Sequence, residues 1–138
     1  ARPPSEAVAR DVPSLGLWLS ERPRTGETTQ KVVTFVEDYQ RALRSADHGL
    51  RVGGYIFLTL GERRVAGADV PLVTFTQEIL EALGYEHIHS IRRHISTRKR
   101  MATRNAAGET MAKETILVMK KSEGPRNSAG CANPPEHL

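Results

Sequence analysis

Cysteine is nearly missing from this 138-residue chain: Cys131 stands alone, so no disulfide can close within it. Thiols unpaired in this way fit a reducing compartment. Long apolar runs are missing too, and nothing approaches the roughly 20 residues that a bilayer span requires. The opening "ARPPSEAVARD" has no apolar core of the secretory-signal type, so the expected location is the cytoplasm, with no membrane. Acid is missing from one long window. Between Glu86 and Glu109 lie 22 residues without a carboxylate, and they carry Arg92, Arg93, Arg98, Lys99, Arg100 and Arg104.

That window holds all of the excess positive charge. The whole chain is +4, and outside the window 14 bases face 16 acids. His87, His89 and His94 lie there as well. A run such as "HISTRKRMATRN" (94–105) has the electrostatics of a polyanion contact, whereas a solvated surface is the bland alternative. Met101 reads as an apolar plug anchoring the run rather than a wedge between bases.

Length and composition describe one domain with a core, 38% apolar and 26% charged. The first 27 residues show no sustained period. They read as an irregular segment with at most one helical turn around "SLGLWLS", Trp18 tucked against the body. A helix is predicted over 28–48, because Val32, Val36, Tyr39 and Leu43 recur at three- and four-residue steps. Thr28 or Thr29 would cap its start and Gly49 its end. Gly53-Gly54 then introduces a strand, 55–60, apolar on both parities and so expected to be interior. "GERRVAGADVP" reads as a long polar loop. The next helix, 73–83, turns Phe75, Ile79, Leu80 and Leu83 inward, with Thr74 and Gln77 as a capping box. A mixed strand, 85–95, reads as an edge. The final strand, 114–121, is apolar on both parities, and residues 122–138 have the composition of a disordered tail.

An interior last strand cannot lie outside an edge strand. The simplest arrangement inserts 114–121, reversed, between 55–60 and 85–95, with a right-handed crossover joining those two.

Other chemistries find little purchase. No serine or cysteine nucleophile has a base at usable spacing, and Glu37 and Asp38 diverge on one helix. His87 and His89 share a strand face as a metal pair would, without a third ligand nearby.

The order and the local words together resemble class I methyltransferases, in particular bacterial S-adenosylmethionine-dependent DNA methylases of amino groups. "LRVGGYIFLTLG" (50–61) is similar to their "Leu-x-Pro-Gly-Gly" strand, with Val52 where proline is usual. "VPLVTFTQEILEALGYE" (70–86) resembles the following helix and "Leu-Gly-Phe" turn. "RHISTRKRMATRNAAGETMAKETILVMKK" (93–121) resembles their "Lys-Arg-Met-…-Arg-Asn" loop and "Glu-x-Ile-Leu-Val" strand. Pro3-Pro4, about 50 residues before the Gly-Gly pair, takes the place of the "Ser/Asn/Asp-Pro-Pro-Tyr" catalytic loop.

The resemblance implies an α/β fold: part of a Rossmann-like class I methyltransferase sheet with a reversed antiparallel strand inserted near its edge. The methyltransferase-like domain would span 28–121. The resemblance further implies S-adenosylmethionine as cofactor and DNA as partner, with adenine N6 or cytosine N4 methylated after base flipping. Arg98, Lys99, Arg100, Arg104 and Asn105 become the nucleic-acid contacts, and Pro3 and Pro4 the remnant of the catalytic loop. Two departures stand out. Arg2 occupies the place of the amine acceptor and has no acceptor lone pair, and Ser5 replaces the stacking aromatic. Nor does any Gly-rich strand-to-helix turn or ribose-gripping acid appear, so the chain resembles half an enzyme: a fragment, part of a longer protein, or a split subunit completed by a second polypeptide. Two alternatives remain open: a non-catalytic methyltransferase-like module that binds nucleic acid or a partner, and an RNA methyltransferase.

Overall fold

The computed structural model describes residues 3–22, 26–61, 63–65, 68–95 and 113–122. Their elements run α1 (Glu6–Asp11), α2 (Pro13–Ser20), α3 (Glu27–His48), β1 (Tyr55–Gly61), β2 (Arg63–Val65), β3 (Ala68–Val70), α4 (Leu72–Ala82), β4 (Tyr85–His94) and β5 (Lys113–Lys121). The main sheet has the order β1-β5-β4. β5 is antiparallel to both neighbours, pairing Leu117 with Leu58 on one side and with Ser90 on the other. The last strand therefore runs backwards between two forward ones, as its two-sided apolar pattern requires. Leu117, Val118 and Met119 are all buried. β4 lies at an edge, as its mixed pattern predicts.

Four sequence expectations are corrected. First, 55–60 is not interior among the described residues: β1 forms the other edge, with Tyr55 51% and Phe57 65% exposed. The described sheet is three-stranded and antiparallel, with the reversed strand inserted as expected. Second, the polar stretch after β1 contains a small hairpin, with Arg63 opposite Val70 and Val65 opposite Ala68. Third, two helices replace the irregular N-terminal segment. Val8, Val12 and Leu15 follow at steps of four and three, a helical period carried across the break at Val12, and all three are buried. Helices this short depend on tertiary packing rather than propensity. Fourth, the predicted N-terminal caps do not form, although Gly49 ends α3 as expected. α3 starts after Gly26 and α4 after Pro71, neither with a side-chain cap.

The helices cover one face of the sheet. Val32 and Val36 of α3, Phe75 and Ile79 of α4, Leu15 and Trp18 of α2, and Leu117 and Met119 of β5 belong to a single core cluster. α2 is also fastened to α4 by polar contacts. Ser14 donates from its backbone N–H and its hydroxyl to the two carboxylate oxygens of Glu78, at 3.2 and 2.5 Å. Trp18 Nε1 donates to the Asp69 carbonyl at 2.8 Å, and the Arg22 guanidinium lies 3.9 Å from the Trp18 ring centre.

At one end of the sheet, a buried polar knot joins three elements. The Tyr85 hydroxyl donates to Asp47 Oδ1 at 2.8 Å, and Lys121 Nζ lies 2.9 Å from the same oxygen. Lys121 also donates to the carbonyls of Asp47 and Leu50, at 3.0 and 2.8 Å. Burial, then the hydrogen bond to Asp47 and its charge, raises the Tyr85 hydroxyl pKa well above its ordinary value.

Candidate functional site

The opposite end of the sheet holds the candidate site. The crossover β1–α4–β4 places the start of α4 beside the C-terminal ends of both forward strands, while β5 enters the sheet there. Along β5, Met119 and Leu117 pack under the helices, and the same parity continues through Thr115 to Lys113. On β4 the partners of Thr115 and Lys113 are Arg92 and His94. The face that is core in mid-sheet thus becomes basic at its end.

A cleft of about 690 Å³ opens there, lined by Leu60 and Gly61 of β1, Arg63 of β2, Asp69 and Val70 of β3, Pro71, Leu72, Val73 and Thr74 at the start of α4, Arg92, Arg93 and His94 of β4, and Lys113, Glu114 and Thr115 of β5. Its volume suits a small ligand or one nucleotide unit. Both of its carboxylates are already paired. Asp69 faces Arg64 at 3.0 Å, and the buried Glu114 carboxylate is closed on by Arg93. Arg63 places its guanidinium 4.7 Å from the Phe35 ring centre. Arg92 and Lys113 are exposed cations. The first turn of α4 contains no acid. Among the described residues the cleft therefore carries a surplus of positive charge.

Of the predicted site residues, Arg98, Lys99, Arg100, Arg104 and Asn105 lie outside the described residues, as do Met101, Cys131 and all but Ser122 of the predicted tail. Covalent geometry still ties the basic segment to the cleft: its flanking residues His94 and Lys113 are paired across β4 and β5. Pro3 and Pro4 are described, and neither lines the cleft. They precede α1, where Ser5 accepts a hydrogen bond from the Val8 N–H at 3.4 Å. His87 and His89 do not share a face. A bulge at Ile88 sets His87 opposite Met119 and His89 opposite Val118, adjacent β5 residues that point oppositely. Among the described residues no three His, Cys, Asp or Glu side chains gather as a metal site needs.

The cleft-lining Arg63, Arg92, His94 and Lys113 were not singled out by sequence. Arg92 and His94 fall in the acid-free window, but only their register with Lys113 brings them together. The sheet face away from the helices supplies a second unanticipated feature. Tyr55 and Phe57 of β1 pair with Lys120 and the buried Val118, and Ile91 of β4 pairs with Ile116, so among the described residues apolar side chains are exposed at both edges of this face.

The same fold is present in a provisionally assigned methylase. The crystal structure of that protein, a DNA modification methylase of Thermus thermophilus by its provisional assignment, superposes with a TM-score of 0.51 over 71% of this chain, at 24% identity. The match spans 41% of that protein, so this chain corresponds to less than half of its length. No protein-family model matches the chain, and no curated protein matches it. What the methylase shares with this chain is its fold.

That fold brings S-adenosylmethionine into question, and the described residues do not fit it. Gly53-Gly54 precedes a strand instead of following one. Gly16 sits within α2. Asp47, at the end of α3, is already engaged by Tyr85 and Lys121. Among the described residues no glycine-rich turn links a strand directly to a helix.

Proposed function

We propose that this chain is a segment of an S-adenosylmethionine-dependent DNA methyltransferase acting on an exocyclic amino group of adenine or cytosine. The cofactor-binding half would lie outside these residues, in a further segment of the same protein or in a second polypeptide. The observation that carries this reading is the reversed β5 between two forward strands, within a fold shared over most of the chain with the Thermus protein. The free edge of β1 and the exposed Tyr55, Phe57 and Ile91 support a completing half, since more than half of that methylase has no counterpart here. No helix of the described residues is long and apolar enough to cross a membrane.

DNA recognition rests on the basic segment, with Arg98, Lys99, Arg100 and Arg104 on phosphates and Asn105 shaping the loop. Duplex affinity should fall steeply with salt, and Arg98→Ala with Arg100→Ala should flatten the slope by about two units. Salt-independent binding, or none, would remove the loop from the function. Calorimetry with S-adenosylmethionine and this chain alone should show no binding; micromolar affinity would contradict the division of labour.

A second reading, a non-catalytic module, is favoured by one contact. Ser5 stands where the family has a stacking aromatic, and its hydroxyl caps α1. Methyl transfer that survives Pro4→Ala in the completed enzyme would favour it. Tighter binding of structured RNA than of duplex DNA would point instead to an RNA methyltransferase.

A further inference from the structure

We propose, resting on the nucleic-acid reading above, that the cleft at the end of the sheet is a fixed phosphate-binding site for the backbone of a nucleic-acid strand. Arg92 and Lys113 are its principal cations, and the first turn of α4 forms its floor. The ligand chemistry follows from the charges that face it. Among the described residues, the acids lining the cleft with Arg63, Arg92, Arg93 and Lys113 are Asp69 and Glu114, and both have arginine partners. Arg92 and Lys113 pair with no acid among the described residues, and His94 adds a ring nitrogen at the same rim. A carboxylate ligand and a phosphate would both satisfy such a site. Phosphate is selected because His94 and Lys113, which flank the basic stretch Arg98 to Arg104 in the chain, are paired at the rim of the cleft.

The arrangement differs in kind from the basic loop. Lys113 and Arg92 are held by strand register close to the buried Leu117 row, so their spacing is set before a ligand arrives. Preorganised cations lose less freedom on binding than cations on a loop. Leu72, Val73 and Thr74 belong to the first turn of α4, whose N-terminal amides have no side-chain cap and which holds no acid of its own. The helix contributes to a site built by the cations.

Two variants separate this from a folding effect. Arg92→Gln with Lys113→Gln removes the cations. Thr74→Glu adds an acid to the exposed first turn of α4, where it stabilises the helix while repelling phosphate. In duplex-DNA anisotropy titrations across a salt series, each should weaken binding roughly tenfold, and the double variant should lower the salt slope by about two units. Thr74→Glu should melt at or above the wild-type temperature. In amide NMR of the wild type, inorganic phosphate should shift Val73 and Thr74. A stable Thr74→Glu protein with wild-type DNA affinity and slope overturns the site. If the Arg98→Ala, Arg100→Ala protein alone loses affinity, the cleft fails while the nucleic-acid reading stands. If phosphate or a free nucleotide saturates the cleft and wild-type protein ignores DNA, both fall, and the cleft belongs to a small phosphorylated ligand.

Discussion

At the residue scale, the decisive side chains are few and mostly polar. Lys121 is buried with Asp47, and removing one partner strands the other charge. Lys121→Met should destabilise the chain by about 3–5 kcal/mol, read as a shift in the denaturant midpoint. Tyr85→Phe should cost less, about 1–2 kcal/mol, since Asp47 keeps Lys121. The raised Tyr85 pKa has a direction in pH. Folding favours the protonated hydroxyl, so its contribution is complete below the ordinary tyrosine pKa of about 10 and is lost as pH rises above that. Wild-type stability should therefore fall between pH ~10 and ~12 more steeply than that of Tyr85→Phe, in parallel denaturant series. Gly53 has φ of +87°, and its N–H donates to the Lys121 carbonyl at 2.6 Å. Gly53→Ala should cost about 1–2 kcal/mol through backbone strain alone, because a Cβ there meets nothing within 4 Å.

At the element scale, burial pattern and position agree for β5 and disagree for β1. Both strands are apolar on two parities. β5 lies between two partners, whereas β1 leaves its second face and outer edge uncovered. The pattern records an environment that the described residues do not supply for β1. Leu117→Ala, in the central strand, should cost about 2–5 kcal/mol and is expected to melt the whole sheet cooperatively. α1 and α2 show the reverse case. Their helical period was present at Val8, Val12 and Leu15, but Pro13 interrupts it and no cap precedes α2. Tertiary contacts, Ser14 with Glu78 and Trp18 with Asp69, complete what local preference leaves marginal. Ser14→Ala should lower the thermal midpoint modestly, by about 1 kcal/mol in stability terms, since a hydroxyl–carboxylate bond is lost at a half-buried site.

At the scale of the whole molecule, one face of the sheet carries helices and the other shows Tyr55, Phe57 and Ile91 to solvent. Large apolar side chains exposed on both edge strands of one sheet face suit contact with another protein surface. Phe57→Asp should leave the melting temperature within error, because Phe57 is 65% exposed. It should also abolish concentration-dependent self-association of the isolated chain in sedimentation velocity, the behaviour expected while the completing half is absent. A monomeric wild type at all concentrations would argue that this face needs no cover.

The periodic parts of the fold were legible in the chain alone. The 22-residue α3, the inward row of α4 and the reversed central strand all follow from apolar spacing, because hydrophobic burial acts on local pattern. The acid-free window was equally plain, since charge can be counted. Convergence was not legible. Arg63, Arg92 and Lys113 are far apart in sequence; the β4–β5 register brings the last two together, and the β2–β3 hairpin sets Arg63 at the same cleft. The same register reversed the expected face of His89 by a single bulged residue. Asp47, unremarkable at a helix end, became the anchor of a buried lysine because β5 finishes beside it. Pairing between distant strands fixes these positions, and no short-range period encodes it.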